Sequence, residues 1–205
     1  MSRLPVLPTI IVAGAVAVMI GLGLWQLGRA SWKDGLLAEY AAAASLPALD
    51  LDPLPAAGAA PPPLAFRRAL VTCRAEDAVP EWRGGRSRDG RSGYVALMAC
   101  RPGADGLAGR VIVNAGWAAL PDRERRLSLA GIVAGTLGAD IAGEPLILTA
   151  ATPSAPLVAS APARIEDVPN NHRSYAVQWF FFAAAAVLIY LLALRGRGRR
   201  LPPEP

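Results

Sequence analysis

The chain has 205 residues, 53% of them hydrophobic, with 21 basic residues, 16 acidic residues and a single histidine. The apolar excess lies at the two ends, and the 146 residues from Gly28 to Arg173 carry 16 basic and 15 acidic side chains. A basic face for nucleic acid is therefore excluded, and the length between the apolar ends suits one domain rather than two.

From Leu4 to Leu27 no residue is charged; as a helix this run would cover about 36 Å, against about 30 Å of hydrocarbon in a bilayer. It is longer than the apolar core of a signal peptide, and its end, GLGLWQLGR, lacks the small residues of a cleavage site, so an uncleaved anchor is expected. Ala13, Ala17 and Gly21 recur every fourth residue, which could let another helix approach closely. Beyond the span, ASWKDGLLAEYAAAA continues in helix-favouring residues. The prolines of LPALDLDPLPAAGAAPPPL then end the helix in an extended arm.

Short strands separated by Gly, Pro and Asp turns are expected at Ala65 to Arg74, Gly93 to Cys100, Gly109 to Ala115, Gly131 to Gly138 and Leu146 to Thr149. Between the first two, EWRGGRSRDGRSG is rich in Gly and Arg without an apolar period and reads as a mobile surface loop. Cys73 and Cys100 belong to no CxxC motif; they could bridge in an oxidising compartment or stand as two small buried thiols.

The last apolar segment, Ser174 to Leu194, holds 21 uncharged residues between Arg173 and Arg195, with Tyr175, Trp179 and Tyr190 toward its ends. An aromatic-belted transmembrane helix is expected there. Arg195, Arg197, Arg199 and Arg200 follow it, opposed only by Glu204, which favours a cytoplasmic C-terminus. With two spans the N-terminus then lies on the same side.

A lone histidine excludes a two-histidine metal site within one chain, and neither GxSxG, a P-loop nor a dinucleotide glycine fingerprint occurs. No enzyme is expected. His172 is separated from the charge-free span by Arg173 alone, in NNHRSYAVQWFFF, and on a helix His172, Tyr175, Trp179, Ala183, Ala186 and Tyr190 form one stripe. An imidazole above aromatic and small apolar positions suits a haem, with Arg173 or Arg164 as propionate partners. It equally suits a solvated interfacial histidine above a helix-packing stripe.

Three stretches together carry a resemblance: LGLWQLGRASWK at Leu22 to Lys33, RVIVNAGWAALP at Arg110 to Pro121, and NNHRSYAVQWFFFAAAAVLIYLLALR at Asn170 to Arg195. On these the chain resembles the Surfeit-locus family of cytochrome oxidase assembly factors. Ala115 stands where that family usually has an arginine in its central motif. The resemblance implies a membrane protein with two transmembrane α-helices flanking one extracytoplasmic, mainly antiparallel β domain, a small sheet or barrel. The corresponding layout is residues 1–4 cytoplasmic, 5–27 first transmembrane helix, 28–64 helical extension and arm, 65–168 β-rich domain, 169–173 interfacial motif, 174–194 second transmembrane helix and 195–205 basic cytoplasmic tail.

It further implies a bacterial inner-membrane assembly factor for haem-copper cytochrome c oxidase. Such a factor assists delivery of haem a to the catalytic subunit, in contact with that subunit, the haem a synthesis machinery and the lipid bilayer, and without nucleic acid. His172 then corresponds to the family histidine implicated in haem binding, as ligand to the iron. Tyr175, Trp179, Trp25 and Arg173 are the expected contacts around it, and Gln26, Arg29 and Trp32 belong to the first matching stretch. Asn114, Gly116 and Trp117 are expected to specify the fold. The alternative is a membrane scaffold that holds oxidase subunits together without binding haem.

Overall fold

A computed structural model describes residues 5–55, 63–101, 105–139 and 144–198. The chain forms two compact units, Met1–Leu36 with Pro169–Pro205, and Leu37–Val168. The expected N-terminal segment 1–4, part of the arm and the tail residues Arg199, Arg200 and Glu204 lie outside the described residues.

Two helices, α1 (Val6–Ser45) and α2 (His172–Gly198), are long and apolar enough to cross a membrane. Helix α1 includes the whole expected extension. The first charge-free run supplies no proline after Pro8, and ASWKDGLLAEYAAAA adds good helix formers until Pro47 stops it. Most of the large apolar side chains on both helices, among them Leu7, Val18, Leu24, Phe181, Ile189 and Leu192, are exposed. Bilayer-facing helices require this, and core helices of a soluble protein do not show it.

The second unit is a seven-stranded sheet: β1 (Leu49–Asp50), β2 (Arg68–Ala78), β3 (Glu81–Arg86), β4 (Ser92–Ala99), β5 (Val111–Ala118), β6 (Leu127–Leu137) and β7 (Leu146–Ala150). The spatial order is β1-β2-β6-β7-β5-β4-β3. The sheet is mixed, mostly antiparallel, because β1 with β2 and β5 with β7 run parallel. It also curls. The backbone N–H of Arg74 donates to the carbonyl of Cys100 at 2.9 Å, and a disulfide joins Cys73 to Cys100, so β2 meets the end of β4 across the ring. Alternate residues of β2, Ala69, Val71, Cys73 and Ala75, turn into the core with Met98, Val113, Leu137 and Leu148. Of the two readings of the cysteines, the bridged one holds.

Two expectations need correcting. The Gly/Arg segment is not a loop over its first half: Glu81–Arg86 is an edge strand paired residue by residue with β4. Two of the segment's glycines, Gly85 and Gly93, serve packing. A Cβ on Gly85 would come within 2.6 Å of Val95, and one on Gly93, its partner across the strands, within 2.5 Å of the Trp117 ring, so the face they share stays open for the small cluster of Val95, Leu97 and Trp117. The arm is not wholly extended linker either, since Leu49–Asp50 pairs with β2 and Leu51 is fully buried.

The central motif specifies structure as expected. Gly116 has φ +146°, in a region that disfavours side chains, and a Cβ there would lie 2.6 Å from Leu157. Asn114 accepts hydrogen bonds from the Gly116 N–H and the Ser160 hydroxyl. Trp117 is buried. Ala115 falls in a β-bulge, where the register to β4 shifts between Ala96 and Leu97, and is wholly buried.

Candidate functional site

Within the first unit the helices pack antiparallel. The less exposed positions of α1 include Thr9, Val12, Val16, Met19, Gly23, Gln26 and Ala30, and those of α2 include His172, Ala176, Trp179, Ala183, Ala186 and Tyr190. These alternate steps of three and four are the seam of two helices packed ridge into groove. At one end the hydroxyls of Thr9 and Tyr190 share a hydrogen bond. Further along, the Phe180 ring fills the space a side chain at Gly23 would take, with a Cβ there only 2.5 Å from it.

The expected small-residue stripe of Ala13, Ala17 and Gly21 is exposed and makes no part of this seam. The helices approach at Gly23 instead, because Phe180 needs a missing side chain opposite it. Between the helices runs an open apolar groove of about 510 Å³, lined by Val16, Ile20, Ala183, Val187 and Leu191 among others.

His172 is the first residue of α2. The carbonyl of Asn171 accepts the Tyr175 N–H at 3.1 Å, which makes Asn171 the cap of the helix, a position asparagine favours. The half-buried imidazole sits on the seam with its Nδ1 2.7 Å from Oε1 of Gln26. Nearby in the same unit Asp34 accepts two hydrogen bonds, from Asn170 Nδ2 at 2.8 Å and from an Arg173 guanidinium nitrogen at 2.7 Å. Arg29 stacks over Trp32 at 4.2 Å.

The predicted stripe is therefore brought together in part. His172, Trp179, Ala183, Ala186 and Tyr190 lie on the seam. Tyr175 does not: Ala176, fully buried, takes the seam position, and Tyr175 is 49% exposed on the flank. A single helical stripe drawn from steps of three and four can pass through either residue; the tight approach of α1 selects the smaller. Trp25 is 59% exposed and lies off the seam beside Gln26, and the ring neighbour of Trp179 is Phe182. Arg173 is held by Asp34 yet 74% exposed along its side chain. In the second unit, Arg164 pairs with Glu166 at 3.4 Å.

Asp34 is the residue that sequence reasoning overlooked. Its signal was a lone carboxylate in a basic and aromatic stretch just past a membrane span. Among the described residues no group of three or more His, Cys, Asp or Glu side chains stands together as a metal site.

The SURF1 family model matches residues 13–184, most of the chain and all seven strands. No curated protein matches the chain.

Proposed function

The chain belongs to the SURF1 family, non-enzymatic assembly factors of cytochrome oxidase, and from that premise we propose that it holds haem a in transit to the oxidase catalytic subunit. His172 is the iron ligand in this reading. One observation carries it: the only histidine of the chain stands half-buried on the helix seam at the first residue of the apolar helix α2, braced from α1.

The residues present suit this cargo. A neutral imidazole is an ordinary axial ligand to haem iron. Trp179 on the seam and the exposed rings of Tyr175 and Trp25 supply aromatic surface on either side. Arg173, anchored at one nitrogen by Asp34, keeps other donors for a propionate. An open site with one protein ligand holds its cargo less tightly than an enclosed pocket with two, as transfer requires.

The same reading sets the membrane layout. Both termini face the cytoplasm and the sheet lies outside it, in the periplasm of a bacterial inner membrane. The Cys73–Cys100 disulfide supports an oxidising compartment for the sheet. The partners are the catalytic subunit, the haem a synthesis machinery and the bilayer.

The test is complementation of cells that lack the protein. His172→Ala should restore membrane insertion and fail to restore the haem a content of the oxidase. Full restoration would favour a scaffold that never touches haem.

A further inference from the structure

We propose that Gln26 is the positioning residue of His172: it fixes the imidazole as its Nδ1–H tautomer and keeps Nε2 as the nitrogen with the free lone pair. The inference rests on the haem-carrier reading for its purpose, but its geometry stands alone.

A neutral imidazole has one N–H and one lone pair, and the group that binds one nitrogen decides the role of the other. The Gln26 oxygen 2.7 Å from Nδ1 is an amide acceptor and cannot donate, so Nδ1 must carry the proton. Among the described residues no hydrogen bond engages Nε2. That nitrogen is then the one available to iron. Without this contact either nitrogen could carry the proton, and the Nε2–H tautomer would leave the lone pair on Nδ1, facing α1.

Gln26 is well placed to hold one geometry. It stands on the seam between Gly23, where Phe180 packs closely, and the buried Ala30, so its backbone cannot drift from α2 without undoing that packing. Its neighbourhood also explains why an amide acts here rather than a carboxylate. Asp34 is the nearest acid in sequence on α1, and its oxygens are engaged by Asn170 and Arg173. The imidazole N–H is left to a neutral acceptor. A carboxylate would pull the ring toward imidazolate and tighten iron binding, whereas an amide orients it without that gain. Orientation without extra affinity is what a carrier that must release its cargo needs.

Because the chain has one histidine, the tautomer can be read directly. The full-length protein in detergent, labelled with imidazole-¹⁵N histidine and studied free of haem at about pH 8.5, some two units above the ordinary imidazole range, gives one pair of ring-nitrogen resonances. Wild type should show a protonated Nδ1 and an unprotonated Nε2. Gln26→Leu should lose this preference, and Gln26→Glu, which keeps an acceptor, should restore it. A wild-type spectrum with the proton on Nε2, or a Gln26→Leu spectrum identical to wild type, would overturn the proposal and leave the contact as a mere staple between helices.

Haem a titration of the same three proteins should then show roughly 10- to 100-fold weaker binding for Gln26→Leu, and binding in Gln26→Glu at least as tight as in wild type. Equal affinity in Gln26→Leu and wild type would overturn the positioning role. If His172→Ala binds haem as wild type does while the tautomer pattern holds, the carrier reading fails and the tautomer assignment survives, so the two failures are distinguishable.

Discussion

Removing the Cys73–Cys100 disulfide should be one of the most costly changes available in the sheet. The bridge closes a loop with a sequence separation of 27 residues. In the chain-entropy account such a loop restricts the unfolded chain by about 3.5 kcal/mol at 25 °C. The double substitution Cys73→Ala, Cys100→Ala forfeits this, and it loosens the contact between β2 and the end of β4, beside the Arg74 to Cys100 backbone bond. Guanidinium unfolding of the full chain in detergent, followed by near-ultraviolet circular dichroism, would measure it. With a slope of about 3–4 kcal/mol per molar for a unit of this size, the midpoint should fall by about 1 M. Both cysteines are almost wholly buried, so the folded wild type should also resist reduction that the unfolded chain accepts. A midpoint shift below about 0.3 M, close to 1 kcal/mol by the same slope, would refute the reasoning.

Three further outcomes follow from particular contacts. Gly116→Ala forces a Cβ into Leu157 and Val158 at a positive φ, so the same unfolding assay should show a loss of about 2–5 kcal/mol from strain and overpacking combined; a loss under about 1 kcal/mol, a sign of easy relaxation, would contradict it. The Arg125 side chain hydrogen-bonds Asp122 and, with the Glu124 and Arg125 backbone N–H groups, holds its carboxyl below the ordinary carboxylate range. A depressed folded pKa means the turn's stabilisation is present above the unfolded value and is lost as pH falls through the folded one, so an NMR titration should find Asp122 among the last carboxylates to protonate, and a normal midpoint would refute this. Asp34→Ala should free both Asn170 and Arg173 and raise backbone amide exchange at residues 170–173, while exchange in the sheet stays unchanged; unaltered exchange at those residues would show that Asp34 does not organise them.

The helices are plain in the sequence because a charge inside a bilayer is so costly that a run as long and charge-free as Leu4 to Leu27 fits best across one. Five of the seven strands are legible from β-branched and apolar runs between turns. Strand β3 is not, since Gly84 and Gly85 sit where an alternating pattern would normally show, and the need for Gly85 comes from Val95, on the neighbouring strand. The two residues of β1 are too few to carry a period. The disulfide is undecidable from sequence because pairing depends on how far the sheet curls, a tertiary fact. In the candidate site, the place of His172 at the head of α2 is legible, but which of Tyr175 and Ala176 faces α1 is settled only by how closely the helices approach. The contact of Gln26 with His172 joins residues 146 positions apart, beyond any local pattern.

The central claim, that this chain carries haem through His172, is tested most directly by optical spectra of protein purified in detergent from cells making haem a, wild type beside His172→Ala. A Soret band in the wild type that is lost in the variant, with both proteins folded, is the predicted result. A band of equal strength in both, or none in either while oxidase assembly still depends on the protein, would contradict it.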